Sequence, residues 1–143
     1  MKLVEKLKMF IEEVDQKYPV ELAYLFGSFA KGTENSESDI DIAILFKHEY
    51  SKLEELLIRG RIIDKGEKFF SNKLDVVSLS SASLLLKYEV ICNSLILRDS
   101  NLRSTFESLA IREYFDFSYY AEIYNEAIFS SIRDGEFFTK KVE

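Results

Sequence analysis

The chain has 143 residues, 47% of them apolar, which suits one domain with a sizeable core and excludes a disordered segment. Its net charge of -6 disfavours the broad basic face that sequence-independent nucleic-acid binding needs, so no direct nucleic-acid contact is expected. Cys92 is the only cysteine, which rules out an internal disulfide and fits a reducing cytoplasm; no apolar run approaches the length of a membrane span.

The opening MKLVEKLKMF alternates charged and apolar residues and lacks the continuous apolar core of a signal peptide. Residues 2–17 are predicted helical, with Leu3, Leu7, Phe10, Ile11 and Val14 on one stripe. Tyr18-Pro19 ends that helix, because the residue before proline avoids the helical region. Val20–Phe26 is a short, β-branched and aromatic run that reads as a buried strand.

The chain then turns at Gly27, which permits a tight turn and lets an anion approach the backbone. Ser28 offers a hydroxyl and an N–H at the start of a helical turn, where orphan donors favour phosphate. Lys31 adds a positive charge one turn on, and Gly32 closes the turn. A polar loop leads into a second strand, 39–46. Alternation puts Ile40, Ile42, Ile44 and Phe46 on one face and Asp39 and Asp41 on the other, with the two acids about 6.5 Å apart. At an effective dielectric near 20, two carboxylates at that distance repel by about 2–3 kcal/mol. A hard divalent cation relieves that repulsion, because it binds oxygens and reverses the local charge balance. Taken singly, a Gly-Ser pair is common and an Asp-x-Asp pair is often a solvated strand end.

Ser51 to Glu54 reads as a capping box, followed by a helix with Leu53, Leu56, Leu57 and Ile63 facing inward. Gly60 within it is expected at a close helix–sheet contact, and Gly66 at an end or kink. Residues 73–79 form a third strand, in which Asp75 interrupts an otherwise apolar run. A carboxylate buried there is costly unless paired or metal-bound; the alternative is that Asp75 sits at a sheet edge and pairs with a lysine. Ser81 or Ser83 caps a helix through Cys92, with Cys92 in the core and Asn93 as a left-handed stop. Residues 94–98 form a short strand, and a helical tail runs from about 101 almost to residue 143. Ten of the 20 aromatic residues lie in 106–143, and packing against the body is favoured over a dedicated interface. His48, the only histidine, has no cysteine or histidine companion for a zinc site and reads as an ordinary residue at a strand end.

Gly27-Ser28, ten residues, then Asp39-x-Asp41 resembles the signature of the nucleotidyltransferase superfamily related to DNA polymerase beta. The fuller strings GSFAKG and SDIDIAI are similar to those of minimal nucleotidyltransferases, and within these to MntA-type antitoxins paired with HEPN toxins. The resemblance covers most of the chain. It implies a single α/β nucleotidyltransferase domain over 1–143, with a small mixed sheet, helices mainly on one face and a long C-terminal helix. In that family a third acidic residue on an adjacent strand completes the catalytic trio, which points to Asp75 beside Asp39 and Asp41. The trio would hold one or two Mg²⁺ ions against the phosphates of ATP, with Gly27, Ser28 and Lys31 on the phosphate side. Lys31 stands where many relatives carry Arg, which retains the charge and loses the planar fork. The implied reaction is transfer of AMP from ATP to a tyrosine of a cognate HEPN RNase toxin in the cytoplasm, with no membrane involved. The alternatives are transfer to a small hydroxylated molecule such as an antibiotic, or a non-catalytic antitoxin acting by binding alone. No P-loop pattern is present.

Overall fold

Periodicity along the first 17 residues does become a helix, α1 (Leu3–Lys17), which buries Leu7, Phe10, Ile11 and Val14. The computed structural model describes residues 2–35 and 37–133. After α1 come β1 (Val20–Phe26), α2 (Ser28–Lys31), β2 (Ile40–Phe46), α3 (Lys52–Glu67) and β3 (Leu74–Ser78). They are followed by α4 (Leu84–Cys92), β4 (Leu95–Arg98) and α5 (Arg103–Arg133). Residues 134–143 of the expected tail lie outside the described residues.

The four strands form one sheet in the order β3-β2-β1-β4. β1 runs antiparallel to β2 and β4, whereas β2 and β3 are parallel and joined through α3. The sheet is therefore mixed. Parallel neighbours need such a crossover, since a hairpin can join only antiparallel strands.

Alternation of side chains divides the core in two. On one face Ala23, Leu25, Ile40, Ile42, Ile44, Leu74 and Val76 pack with α1 and with Ile58 and Ile62 of α3. On the other, Leu22, Tyr24 and Ala43 pack with Leu79, Val90 of α4 and Phe106 of α5. Helices thus cover both faces, the second with the smaller cluster. Tyr24 is buried there, and its hydroxyl donates to Glu107 Oε2 at 2.8 Å, tying α5 to the sheet. Burial, reinforced by the Glu107 carboxylate, pushes the Tyr24 phenol well above its ordinary value.

Helix α3 presents the opposite face from the one its leucines predict. Leu53, Leu56 and Leu57 are exposed, while Glu55, Ile58, Ile62 and Gly66 are buried and Ile63 packs at the core margin. The inward Glu55 is tolerated because Ser78 Oγ and Ser80 Oγ donate to its Oε1 at 2.7 and 2.6 Å. Burial raises the Glu55 carboxyl, but those hydroxyls, with Ser81 and Arg59, outweigh it and hold the group below its ordinary value. Arg59 Nε donates to the Val76 carbonyl of β3 at 2.7 Å. The close helix–sheet approach falls at Gly66, where a Cβ would collide with the Leu74 side chain, and not at Gly60, around which space is open. The Ser51–Glu54 capping box forms as expected.

Four further expectations are corrected, the third in part. Ser83 caps α4, but Asn93 has φ -131°, so it is no left-handed stop, and Cys92 is exposed and not in the core. The aromatics of α5 pack on the body only along its first half: Phe106 joins the second core, Tyr114 stacks on Tyr88 of α4 with ring centroids 4.1 Å apart, and Phe115 meets the same ring edge-on, whereas Phe117, Tyr119, Tyr120 and Tyr124 are exposed, and Ala110 is the one fully buried residue of the helix among those described. Its 31 residues span about 46 Å at 1.5 Å each. Finally, β3 lies at the edge of the sheet and Asp75 on it is exposed, so its charge is not buried in apolar surroundings. Among the described residues no helix is long and apolar enough to cross a membrane.

Candidate active site

The site lies where β1 ends and the parallel strands β2 and β3 begin. Asp41 is the second residue of β2, and its Cα partners are Phe26 on one side and Asp75 on the other. The parallel register therefore sets two carboxyl-bearing residues side by side. Asp39 lies one residue before β2 and is exposed, so the second strand starts after the first acid and not at it.

Phe26 hands the chain to Gly27, whose φ of 76° and ψ of -155° are reachable in practice by glycine alone. The same residue lies against Asp41: a Cβ built on Gly27 would overlap Asp41 Oδ2. The glycine thus has two reasons, one of backbone shape and one of space. It is followed by the short turn α2, in which the Ala30 and Lys31 N–H groups both donate to the Gly27 carbonyl at 3.2 Å. Ser28 and Phe29 stand at the first positions of that turn, where N–H groups point along the axis without intrahelical acceptors. Ser28 is half-buried, Lys31 is exposed at the far end, and Gly32 closes the turn with φ 74°.

Charge is concentrated at Asp41. Burial raises its carboxyl above the ordinary value, and the charges of Asp75 and then Asp39 raise it further. Among the described residues no three carboxylates, imidazoles or thiols converge closely enough to hold a metal ion by themselves. The donor set is nonetheless suited to Mg²⁺: hard oxygens, mutually repelling, with an exposed approach. Such ions take one or two carboxylates and complete their shell with water and substrate phosphates. Asp41 is the centre of that set, and Asp39 and Asp75 flank it from two different segments.

The raised carboxyl has a measurable consequence. A group whose folded value lies above its unfolded one contributes stability below the unfolded value and loses it as pH rises through the folded value. At neutral pH, with metal chelated, charged Asp41 therefore weakens the fold. Asp41→Asn is expected to melt higher than the wild type at pH 7 in a chelator, with the gap closing at pH below about 4. Thermal melts across that range check it. Equal melting at pH 7 would mean that the repulsion is fully relieved by solvent.

Asn72, just before β3, escapes a reading of the sequence because asparagine after serine is ordinary turn chemistry. Its amide donates to the Ser38 carbonyl, at 2.9 Å, beside Asp39.

Comparison with known proteins gives the family and the fold. Residues 5–103, more than half of the chain, match the model of the family "Polymerase beta, Nucleotidyltransferase". A relative described as protein adenylyltransferase MntA, from Shewanella oneidensis, is 35% identical over 72 residues, covering 50% of this chain. The match spans 49% of that relative's own length. A second, from Methanocaldococcus jannaschii, is 33% identical over 86 residues, covering 57% of this chain and 83% of its own. Among solved structures, a toxin–antitoxin with AMP-PNP superposes with a TM-score of 0.71 at 24% identity, over 85% of this chain and 98% of the other. A tri-AMPylated Shewanella oneidensis HEPN toxin in complex with its MNT antitoxin matches at a TM-score of 0.68 and 22% identity, over 89% and 99%. At those identities the structural likeness speaks for the fold. With residues 5–103 matching that family model, the chain belongs to the polymerase beta-type nucleotidyltransferases.

Proposed function

We propose that this chain transfers AMP from ATP to a tyrosine of a separate HEPN-type protein and thereby neutralises it. The observation that carries the transfer is the packing of Asp41 against Gly27 on one side and its register with Asp75 on the other. The glycine turn and two carboxyl-bearing strands thus meet at one edge of the sheet, which supports the reading. The acceptor is proposed by likeness to the Shewanella oneidensis adenylyltransferase and to the toxin–antitoxin structures.

In this reading Gly27 lets the triphosphate approach the backbone, and the Ser28 hydroxyl and the leading N–H groups of α2 hold its terminal oxygens. Lys31 contributes charge at longer range. Asp39, Asp41 and Asp75 would hold Mg²⁺, which when bound neutralises phosphate charge and aligns attack and departure. Asp75, exposed on the outer strand, faces the incoming hydroxyl and takes its proton. The tyrosyl oxygen bonds to the α-phosphorus as the bond to the β-phosphate oxygen breaks, and pyrophosphate leaves. Positioning and electrostatics supply most of the acceleration.

The partner surface is proposed on α5. Its exposed Phe115, Tyr119, Tyr120 and Tyr124 offer the residue types that dominate interface cores. Glu113, Asp116, Glu122 and Glu126 accompany them with no Lys or Arg from 113 to 132, which favours a basic counter-surface. Tyr120→Ala with Tyr124→Ala is expected to weaken the complex by about 30-fold or more, the cost of a 2 kcal/mol hot spot. Melting should be unchanged. Calorimetric titration of the pair checks this, and unaltered affinity would return α5 to a purely structural role.

The deciding experiment incubates the chain with Mg²⁺, α-labelled ATP and its HEPN partner, followed by intact mass measurement and site mapping. The expected product is the partner heavier by whole AMP units on tyrosine. Label on a small hydroxylated acceptor and never on the partner would favour the antibiotic-type alternative. Neutralisation without any label would favour binding alone.

A further inference from the structure

We infer that Asn72 is a positioning residue for the carboxylate site, tying the segment that carries Asp39 to the strand that carries Asp75; the inference rests on the nucleotidyl-transfer reading above. Asp39 precedes the β2–β3 ladder, whose first rung pairs Ile40 with Leu74. Backbone pairing alone therefore fixes Asp41 against Asp75 but leaves Asp39 outside the sheet. Two hydrogen bonds close on either side of it. The Ile40 N–H donates to the Lys73 carbonyl at 2.8 Å. Asn72 Nδ2 donates to the Ser38 carbonyl at 2.9 Å, across 34 positions of sequence.

The Asn72 amide thus acts as one more rung, with a side-chain N–H in the place of a backbone N–H. The carbonyl it grips belongs to a loop that is itself organised. The Ser38 N–H donates to the Asn35 carbonyl at 3.1 Å, and Ser38 Oγ accepts from the Asn35 N–H at 2.9 Å. Asn35 Oδ1 accepts from the Glu37 N–H at 2.8 Å. Ser38 and Asn72 are both half-buried, so water competes less for their bond than it would on an open loop.

No hairpin holds the starts of β2 and β3 together, because a parallel pair is closed only by the distant crossover. Each strand start is fed by its own loop: Asp39 ends the loop before β2, and Asp75 is the second residue of β3. The bond between Ser38 and Asn72 therefore adds to the Ile40–Lys73 bond in coupling the Asp39 segment to the strand that bears Asp75. Partners one shell out from metal ligands typically change metal affinity 10–100-fold when removed. Asn72 is placed to act in that way, through Asp39 and not by touching substrate.

The test uses the full chain and the variants Asn72→Ala and Asn72→Leu, which remove the donor with and without loss of volume. In metal-free protein, amide exchange at Ile40 is expected to run about tenfold faster in both, with Leu22 to Leu25 unchanged. Mg²⁺ affinity, measured by calorimetry with AMP-PNP present, should fall 10–100-fold, that is by about that range. Transfer at saturating Mg²⁺ should stay within about threefold of the wild type, since occupancy and not chemistry is lost. Unchanged Ile40 exchange or unchanged Mg²⁺ affinity overturns the inference. So does a uniform drop in melting temperature and rate at every Mg²⁺ concentration, which marks a structural residue only. If the wild type itself binds no Mg²⁺ with AMP-PNP, the transfer reading falls and the positioning role falls with it. If the wild type binds Mg²⁺ and both variants bind it equally well, the inference alone falls.

Discussion

Asp75→Asn should bring nucleotidyl transfer close to background while nucleotide binding is largely kept. Asn preserves the size of the side chain and part of its hydrogen bonding, but it neither accepts the acceptor's proton nor donates charge to a cation. Loss of a positioned base alone costs about 10²–10⁴-fold in rate. Loss of a metal contact adds to that. Asp75 is exposed on the outermost strand, so its replacement disturbs no core packing and the fold should melt as the wild type does. Asp41 is half-buried and feels both other acids, so its replacement should weaken Mg²⁺–nucleotide binding as well as rate. Calorimetric AMP-PNP binding beside transfer assays separates the two carboxylates. A wild-type rate in Asp75→Asn would make that residue structural and the mechanism above wrong.

Gly27→Ala is the second large effect. The added methyl meets two obstacles at once: a backbone conformation that alanine rarely adopts and the Asp41 carboxylate itself. The first costs about 1–3 kcal/mol. The second pushes Asp41 out of line, and misplacement by about 1 Å can lower a rate by about 10²-fold. Gly32→Ala is the informative control. Gly32 also has a positive φ, 74°, but a Cβ there meets nothing. It should melt lower by the left-handed penalty of about 1–2 kcal/mol and still transfer AMP. If Gly27→Ala retains transfer, the contact between Gly27 and Asp41 has no catalytic meaning.

Much of the site was legible because its signal is local. The glycine turn, the serine after it and the alternation of Ile40, Ile42 and Ile44 lie within 18 consecutive residues, and α2 and most of β2 form there, directly after β1. Capping by Ser51 and Ser83 is local too, and both caps form. The burial of α3 was not legible. Its two opposite faces both carry large apolar residues, and the choice depends on Glu55 finding Ser78 and Ser80 more than 20 positions away. The exposure of Asp75 follows from strand order, which puts β3 outermost, and no residue near Asp75 announces that order. The aromatic tail packs on the body at Phe106 and Tyr114 and misled only beyond them, for a similar reason. Phe and Tyr at helical spacing state that a surface will be covered, but not whether the cover belongs to the same chain.

The Arg59 bond to β3 has a consequence for how any partner engages this protein. An unpaired outer strand is a template for strand addition, by a peptide or by another copy. Here β3 has five residues, and the Val76 carbonyl at its middle is already taken by the guanidinium. At the opposite border β4 offers only four residues. Neither border presents the long, free row of donors and acceptors that main-chain recruitment uses. Arg59 is thus a guard against indiscriminate polymerisation of the sheet. Assembly is left to side-chain surfaces, where selectivity for one partner can be encoded residue by residue.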